Sequence, residues 1–149
     1  MKTITINKEG LFNYEPLARF ETGIVLTGAE VKAVKLGQIS LKGAYVTLDH
    51  GSEAWLVNCH ISPYLPARGQ QAAYDPLRRR KLLLHKKEIN TLIGSGKQKG
   101  LTIIPISVYT KSGLIKLEIA LSRGKTKLDK REKIKERESE REIRRILKH

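Results

Sequence analysis

Arg78, Arg79, Arg80 and Lys81 form an unbroken basic run, and Lys86, Lys87, Lys97 and Lys99 follow closely. Guanidinium and ammonium groups are multiple donors that stay charged at neutral pH, and they suit phosphate oxygens. Arg78, Arg80, Lys81 and Lys86 are therefore candidate ligands of a phosphate clamp. Each phosphate so neutralised steepens the salt dependence of binding. The competing reading is an exposed strand start that only keeps the chain soluble. The close succession of Lys86, Lys87, Lys97 and Lys99 favours the clamp. The 29 Lys and Arg against 15 Asp and Glu give a formal charge of +14 and a pI near 10.0. Such an imbalance costs self-repulsion, and a polyanionic partner is the simplest reason for it. Aromatic residues are only 5% of the chain, so recognition should run through backbone and shape more than through base stacking.

Other constellations carry less. Gly94-Ser95-Gly96-Lys97 lacks the glycine spacing of a phosphate loop, and Gln98 stands where that loop needs Ser or Thr. His50, His60, His85 and His149 have no ligand spacing. Cys59 and His60 are adjacent, but neighbours in a strand point to opposite faces. No metal and no cofactor are expected. Cys59 is the single cysteine and reads as a small residue filling the interior. No nucleophile-elbow pattern is present. A ribonuclease using His and Lys remains the enzyme alternative, although nothing spaces the groups for it. Phe12 and Trp55 read as packing residues. No run approaches the ~18 apolar residues of a membrane span. The start of the chain shows no secretory pattern, so a cytoplasmic, membrane-free protein is expected; it is also expected to be a monomer.

The elements that must hold these cations are mainly strands. Residues 20–26 end at Thr27-Gly28-Ala29-Glu30, which has capping-box form and predicts a helix through about Lys35. Glu30 is fully occupied by that capping role. Residues 41–48 and 53–60 are strand candidates around the turn residues Asp49-His50-Gly51-Ser52. Ala44, Val46 and Leu48 should share one face, with Tyr45 and Thr47 on the other. Residues 62–77 hold Pro63, Pro66, Gly69 and Pro76 and read as a loop. Leu82-Leu83-Leu84 reads as a short buried strand, and residues 86–93 as a helix with Ile89, Leu92 and Ile93 on one face. Residues 101–109 and 114–121 should form a hairpin whose second strand keeps one wet face. Some six short antiparallel strands with two or three helices predict a mainly β fold, a small closed barrel of the oligonucleotide-binding kind.

The chain divides near residue 121. Residues 1–121 are expected to form the folded body that meets the polyanion. Residues 122–149 hold twelve Lys or Arg and six Asp or Glu, with hardly an apolar residue before Ile143. Pairs such as Asp129 with Lys133 favour a helix by only about 0.2–0.5 kcal/mol each. The tail is expected to be disordered when free and helical against a polyanion.

Several segments resemble a known family in order along the chain. They are Leu26-Thr27-Gly28-Ala29-Glu30-Val31-Lys32, His60-Ile61-Ser62-Pro63-Tyr64, Asp75-Pro76-Leu77 continuing through the basic run to Lys86, and Gly124-Lys125 through Glu138. The chain is similar to the SsrA-binding proteins, also called small protein B. That resemblance implies an oligonucleotide-binding-like barrel that binds the tRNA-like domain of transfer-messenger RNA. It implies delivery of that RNA to stalled ribosomes for trans-translation, with small-subunit rRNA, the decoding centre and the mRNA channel as partners. Family residues linked to RNA binding match Glu21, Leu83 and Lys116. In the tail, Asp129, Lys130 and Arg131 match the element needed for accommodation, and Arg123, Lys125 and Lys127 would meet ribosomal RNA phosphate. Two segments depart from the family. Lys8-Glu9-Gly10-Leu11-Phe12 is less basic than usual, and Leu128 stands where an aromatic or histidine is common. A structural ribosomal protein with a basic tail is the alternative function.

Overall fold

The computed structural model describes residues 1–49, 52–64, 73–96, 100–126, 130–132, 134–138 and 141. In chain order these residues give β1 (Lys2–Ile6), α1 (Lys8–Asn13), β2 (Tyr14–Gly23), α2 (Gly28–Lys35), β3 (Ile39–Ser40), β4 (Tyr45–Leu48) and β5 (Ala54–Val57). There follow β6 (His60–Ile61), β7 (Arg80–Leu82), α3 (Lys86–Gly96), β8 (Leu101–Lys111) and β9 (Leu114–Gly124). All pairings are antiparallel, and the main sheet runs β2-β9-β8-β4-β5-β7 with β1 on β8. The mainly β expectation holds. The expected closed barrel does not form as a continuous ladder. The two ends of the path, β7 and the residues just after β2, meet at one bridge between Ile24 and Leu82. Hydrogen bonds from Val25 N to Lys81 O (2.9 Å) and from Leu83 N to Gly23 O (3.0 Å) flank it.

The long β8–β9 hairpin is the spine of the sheet. Its turn, Ser112-Gly113, has φ of 52° and 78°, the doubly left-handed geometry that matches strand twist. Leu117, Ile119 and Leu121 point inward with Val108, Ile103, Val46 and Leu56. Burying each such side chain favours folding by about 1.5–3 kcal/mol. The other face of β9 is wet at first, but Ala120 and Ser122 are fully buried. Ala120 lies with Ile104 and Ile106 in a second small core, against which Leu11 and Tyr14 pack. So the expected wet face ends where α1 covers it. β9 also carries the folded body through Gly124, beyond the compositional break at Leu121.

Neither β1 nor α1 was expected. Asn7 explains α1: its Oδ1 accepts from Gly10 N (2.9 Å), while its Nδ2 donates to Pro105 O (2.8 Å) in the interior. An N-cap of this type satisfies one orphan helix donor. At α2 the anticipated capping box is present. Thr27 Oγ1 accepts from Glu30 N (3.2 Å), and Glu30 Oε1 accepts from Thr27 N (2.9 Å). Ala44 and Val46 face inward and Tyr45 outward, as the alternation requires. His50 and Gly51 of the expected turn lie outside the described residues, as does much of the 62–77 loop.

Candidate nucleic-acid interface

The outer face of β2, β9 and β8 brings together residues far apart in sequence. Glu21 stands opposite Glu118, and Gly23 opposite Lys116, which in turn pairs with Tyr109. The Glu21 carboxylate accepts a hydrogen bond from the Tyr109 hydroxyl. Lys111 Nζ lies 3.4 Å from its other oxygen. The Tyr109 hydrogen bond is the chief reason the Glu21 carboxyl sits below the usual carboxylate range; its burial opposes the shift, and Lys111 and Lys116 add to it. Tyr109 itself is pushed up, first by burial and then by Glu21. Leu83 reaches the same neighbourhood from the residue just after β7. A β-carbon added at Gly23 would come 3.2 Å from Leu83 Cδ1, so glycine permits the approach of the two strands. Leu83 and Lys116 both line a cleft of about 240 Å³, whose apolar walls include Leu26, Leu114 and Ile115.

The basic run sorts by strand alternation. Leu82 and Leu84 are buried, Leu83 is 56% exposed, and Arg80 falls in phase with the buried pair. This corrects two expectations. Leu82-Leu83-Leu84 is not buried throughout, and Arg80 cannot clamp phosphate. Arg80 has no exposed side chain. Its Nε and Nη2 donate to Glu30 Oε2 at 2.9 and 2.6 Å, and its Nη1 to Cys59 O (2.6 Å) and Pro76 O (2.9 Å). Tyr74 completes the cluster, accepting from Arg80 Nη2 (2.8 Å) and lying 3.0 Å from Glu30 Oε2 and 2.9 Å from Ile61 O. Arg78, one-third exposed, pairs with Glu30 Oε1. Burial alone would raise the Glu30 carboxyl. The hydrogen bonds from Arg78, Thr27 N and Arg80 outweigh it and hold the carboxyl at about 2. Glu30 thus does more than cap a helix: it anchors α2 to β7.

The remaining cations face out. Lys81 is 42% exposed and lies 3.3 Å from Glu53. Arg79 lies over the Trp55 ring at 4.4 Å from its centroid, while Trp55 Nε1 donates to Asp49 Oδ2 (2.9 Å). Lys86 is exposed at the start of α3, while Lys97 and Lys99 lie outside the described residues. In the tail, Arg123 is exposed on β9. Lys125 is tied to α1: its N donates to Asn13 O (2.8 Å) and its Nζ to Leu11 O (2.9 Å). Residues 130–132 and 134–138 are helical, with Arg131 exposed and Lys130 half-buried. Arg137 lies 5.8 Å from the centroid of the Phe12 ring. Lys127, Leu128 and Asp129 lie outside the described residues.

A surface of this kind accepts hydrogen bonds at Glu21, donates to anions at Lys116, and offers an apolar recess beside Lys116. The single thiol offers no nucleophile there: Cys59 is buried, and that burial pushes it up to about 11. The family model for the SmpB protein matches residues 4–149. The chain belongs to the SmpB family. It is 50% identical over 147 residues to the SsrA-binding protein of Sulfurihydrogenibium sp., covering 99% of this chain and 95% of that relative. Against the SsrA-binding protein of Gloeothece citriformis the identity is 51% over 147 residues, covering 99% and 94%. A solved chain from work on tmRNA-SmpB at the center of the bacterial ribosome superposes with a TM-score of 0.67 at 40% identity, over 83% of this chain and 85% of that one.

Reading the sequence missed Tyr109, Lys111 and Tyr74. Tyr74 lies outside any strand, and Tyr109 and Lys111 meet Glu21 only through strand pairing, which the local pattern does not encode. Arg80 was within reach, because Leu82 and Leu84 fix its phase.

Proposed function

We infer that this chain binds the tRNA-like domain of transfer-messenger RNA and delivers it to stalled ribosomes for trans-translation. The observation that carries this reading is the convergence of Glu21, Leu83 and Lys116, from three separate strand regions, on one exposed face and its cleft. Lys116 supplies a phosphate ligand, Glu21 an acceptor for base or ribose donors, and Leu83 an apolar wall. Lys81, Lys86 and the exposed part of Arg78 add phosphate contacts that strengthen binding without reading sequence. Arg80 belongs to the fold and not to this set.

The body is taken as an oligonucleotide-binding-like barrel, a reading supported by the Ile24–Leu82 bridge and its flanking hydrogen bonds. The tail is a separate arm that acquires its working helical order inside the ribosome, near the decoding centre and mRNA channel. Arg123, Lys125, Lys127, Asp129, Lys130 and Arg131 are its ribosome-facing residues. Lys125 must release the Leu11 carbonyl before its ammonium can meet phosphate. The protein acts in the cytoplasm as an adaptor, without chemistry of its own.

The test is competition binding at moderate salt. The tRNA-like domain should displace an unrelated transcript of equal length from the full chain, and Lys116→Ala should narrow the difference. Equal affinity for both RNAs would remove the function.

A further inference from the structure

Glu21 is an exposed carboxylate on a flexible stem, and in that state its oxygens would sample many directions. Here it is restrained from two sides. Tyr109 is 6% exposed, and its hydroxyl donates to Glu21 Oε2. Lys111 Nζ stands 3.4 Å from Oε1 and 3.5 Å from Oε2. Tyr109 is rigid by burial, so the donor it presents is fixed before any ligand arrives. The β8–β9–β2 register sets the distance: Tyr109 pairs with Lys116, and Lys116 with Gly23, two residues from Glu21.

We propose that Tyr109, assisted by Lys111, is a positioning residue that holds the Glu21 carboxylate pre-aimed at hydrogen-bond donors of the bound RNA. This rests on the RNA-binding reading of Glu21 above. A carboxylate has about four lone-pair sites. Tyr109 and Lys111 occupy the sites facing the sheet, and the rest remain for amino or ribose hydroxyl donors. An acceptor already ordered loses less freedom on binding. Other charged groups facing this point do not compete for the tether. Glu118 on β9 pairs with Arg19 on β2 at 2.5 Å, and Lys116 lines the cleft.

Two measurements on the full-length chain test this. The first is NMR titration of the Glu21 carboxyl without RNA, in the parent and in Tyr109→Phe. The second is a double-mutant cycle of affinity for the tRNA-like domain, combining Tyr109→Phe with Glu21→Gln. The Glu21 midpoint should rise in Tyr109→Phe. Affinity should fall roughly three- to tenfold in the parent background, as for one hydrogen bond, and by less than about twofold in the Glu21→Gln background. Lys111→Met, at an exposed position, runs the same cycle if Tyr109→Phe fails to fold. An unchanged Glu21 midpoint, or an equal loss of affinity in both backgrounds, overturns the positioning role. Full affinity in Glu21→Gln with a raised midpoint in Tyr109→Phe would leave the tether standing and overturn its place in RNA binding.

Discussion

Glu30 and Glu21 have the same kinds of partner. Each carboxylate meets a tyrosine hydroxyl and basic side chains: Tyr74, Arg78 and Arg80 around Glu30, and Tyr109 and Lys111 around Glu21. Burial separates them. Glu30 is 1% exposed, and Arg80 against it has no exposure at all, so that pair is closed to any ligand and joins α2 to β7, leaving only the outer edge of Arg78 in reach of solvent. The Glu21 side chain is 41% exposed, so its cluster leaves acceptor sites facing solvent. The same chemistry is structural where water is excluded and available for recognition where it is not. A buried pair of this kind resists loss of one partner far more than it adds net stability, because the survivor is left charged and unpaired.

The sharpest separation should come from the tail, which belongs to neither cluster. Removing residues 126–149 keeps β9 and the Lys125 tie to α1 intact. We expect peptide tagging to fall to background, with the dissociation constant for the tRNA-like domain changing less than about threefold. Parallel loss of both activities would merge the two regions. Next comes Arg80→Met, which leaves Glu30 buried without its main partner. Chemical denaturation should show a loss of about 3–5 kcal/mol. A loss below 1 kcal/mol would mean the cluster is dispensable to the fold.

The Glu30 cluster also sets a pH window. Its carboxyl is depressed from 4.5 to about 2 in the folded chain. The stability this contributes is fully present above the unfolded value. It drains away as pH falls from about 4.5 through about 2, and amounts to on the order of 3 kcal/mol. Glu30→Gln should flatten that part of the stability–pH curve. On the exposed side, Lys116→Ala should weaken RNA binding by about 1–3 kcal/mol while stability moves by less than about 0.5 kcal/mol. Lys81→Ala should also cost little stability. Lys81 is one residue from Arg80 yet half exposed, and its pair with Glu53 is worth at most about 1 kcal/mol. Comparing adjacent Arg80 and Lys81 in one denaturation series isolates burial from charge.

Much of this was legible in the chain itself. The Thr27–Glu30 capping box, the β8–β9 hairpin and the inward phase of Val46 and Leu117 follow from local pattern, because caps and two-residue periodicity are local physics. The family resemblance picked out Glu21, Leu83 and Lys116, and the fold gathers them on one side. What stayed hidden depends on partners distant in sequence. Residues 14–19 have too few apolar side chains to signal a strand, and become one because β9 offers them a partner from Gly124 back to Ala120. Asn7 makes α1 visible only once Pro105 is beside it. Arg80 misleads for a different reason: its charge points to phosphate, while the phase set by Leu82 and Leu84 buries it.

The most direct test maps the surface that RNA touches. Backbone and methyl NMR spectra of the full chain, recorded with increasing tRNA-like domain, would report every strand at once. The largest shifts should fall on Glu21, Gly23, Leu83, Tyr109, Lys111 and Lys116, and Arg80, Glu30 and Tyr74 should stay nearly still. Shifts concentrated on α3 or on the Trp55–Arg79 face, with the β2–β9 surface silent, would contradict the assignment.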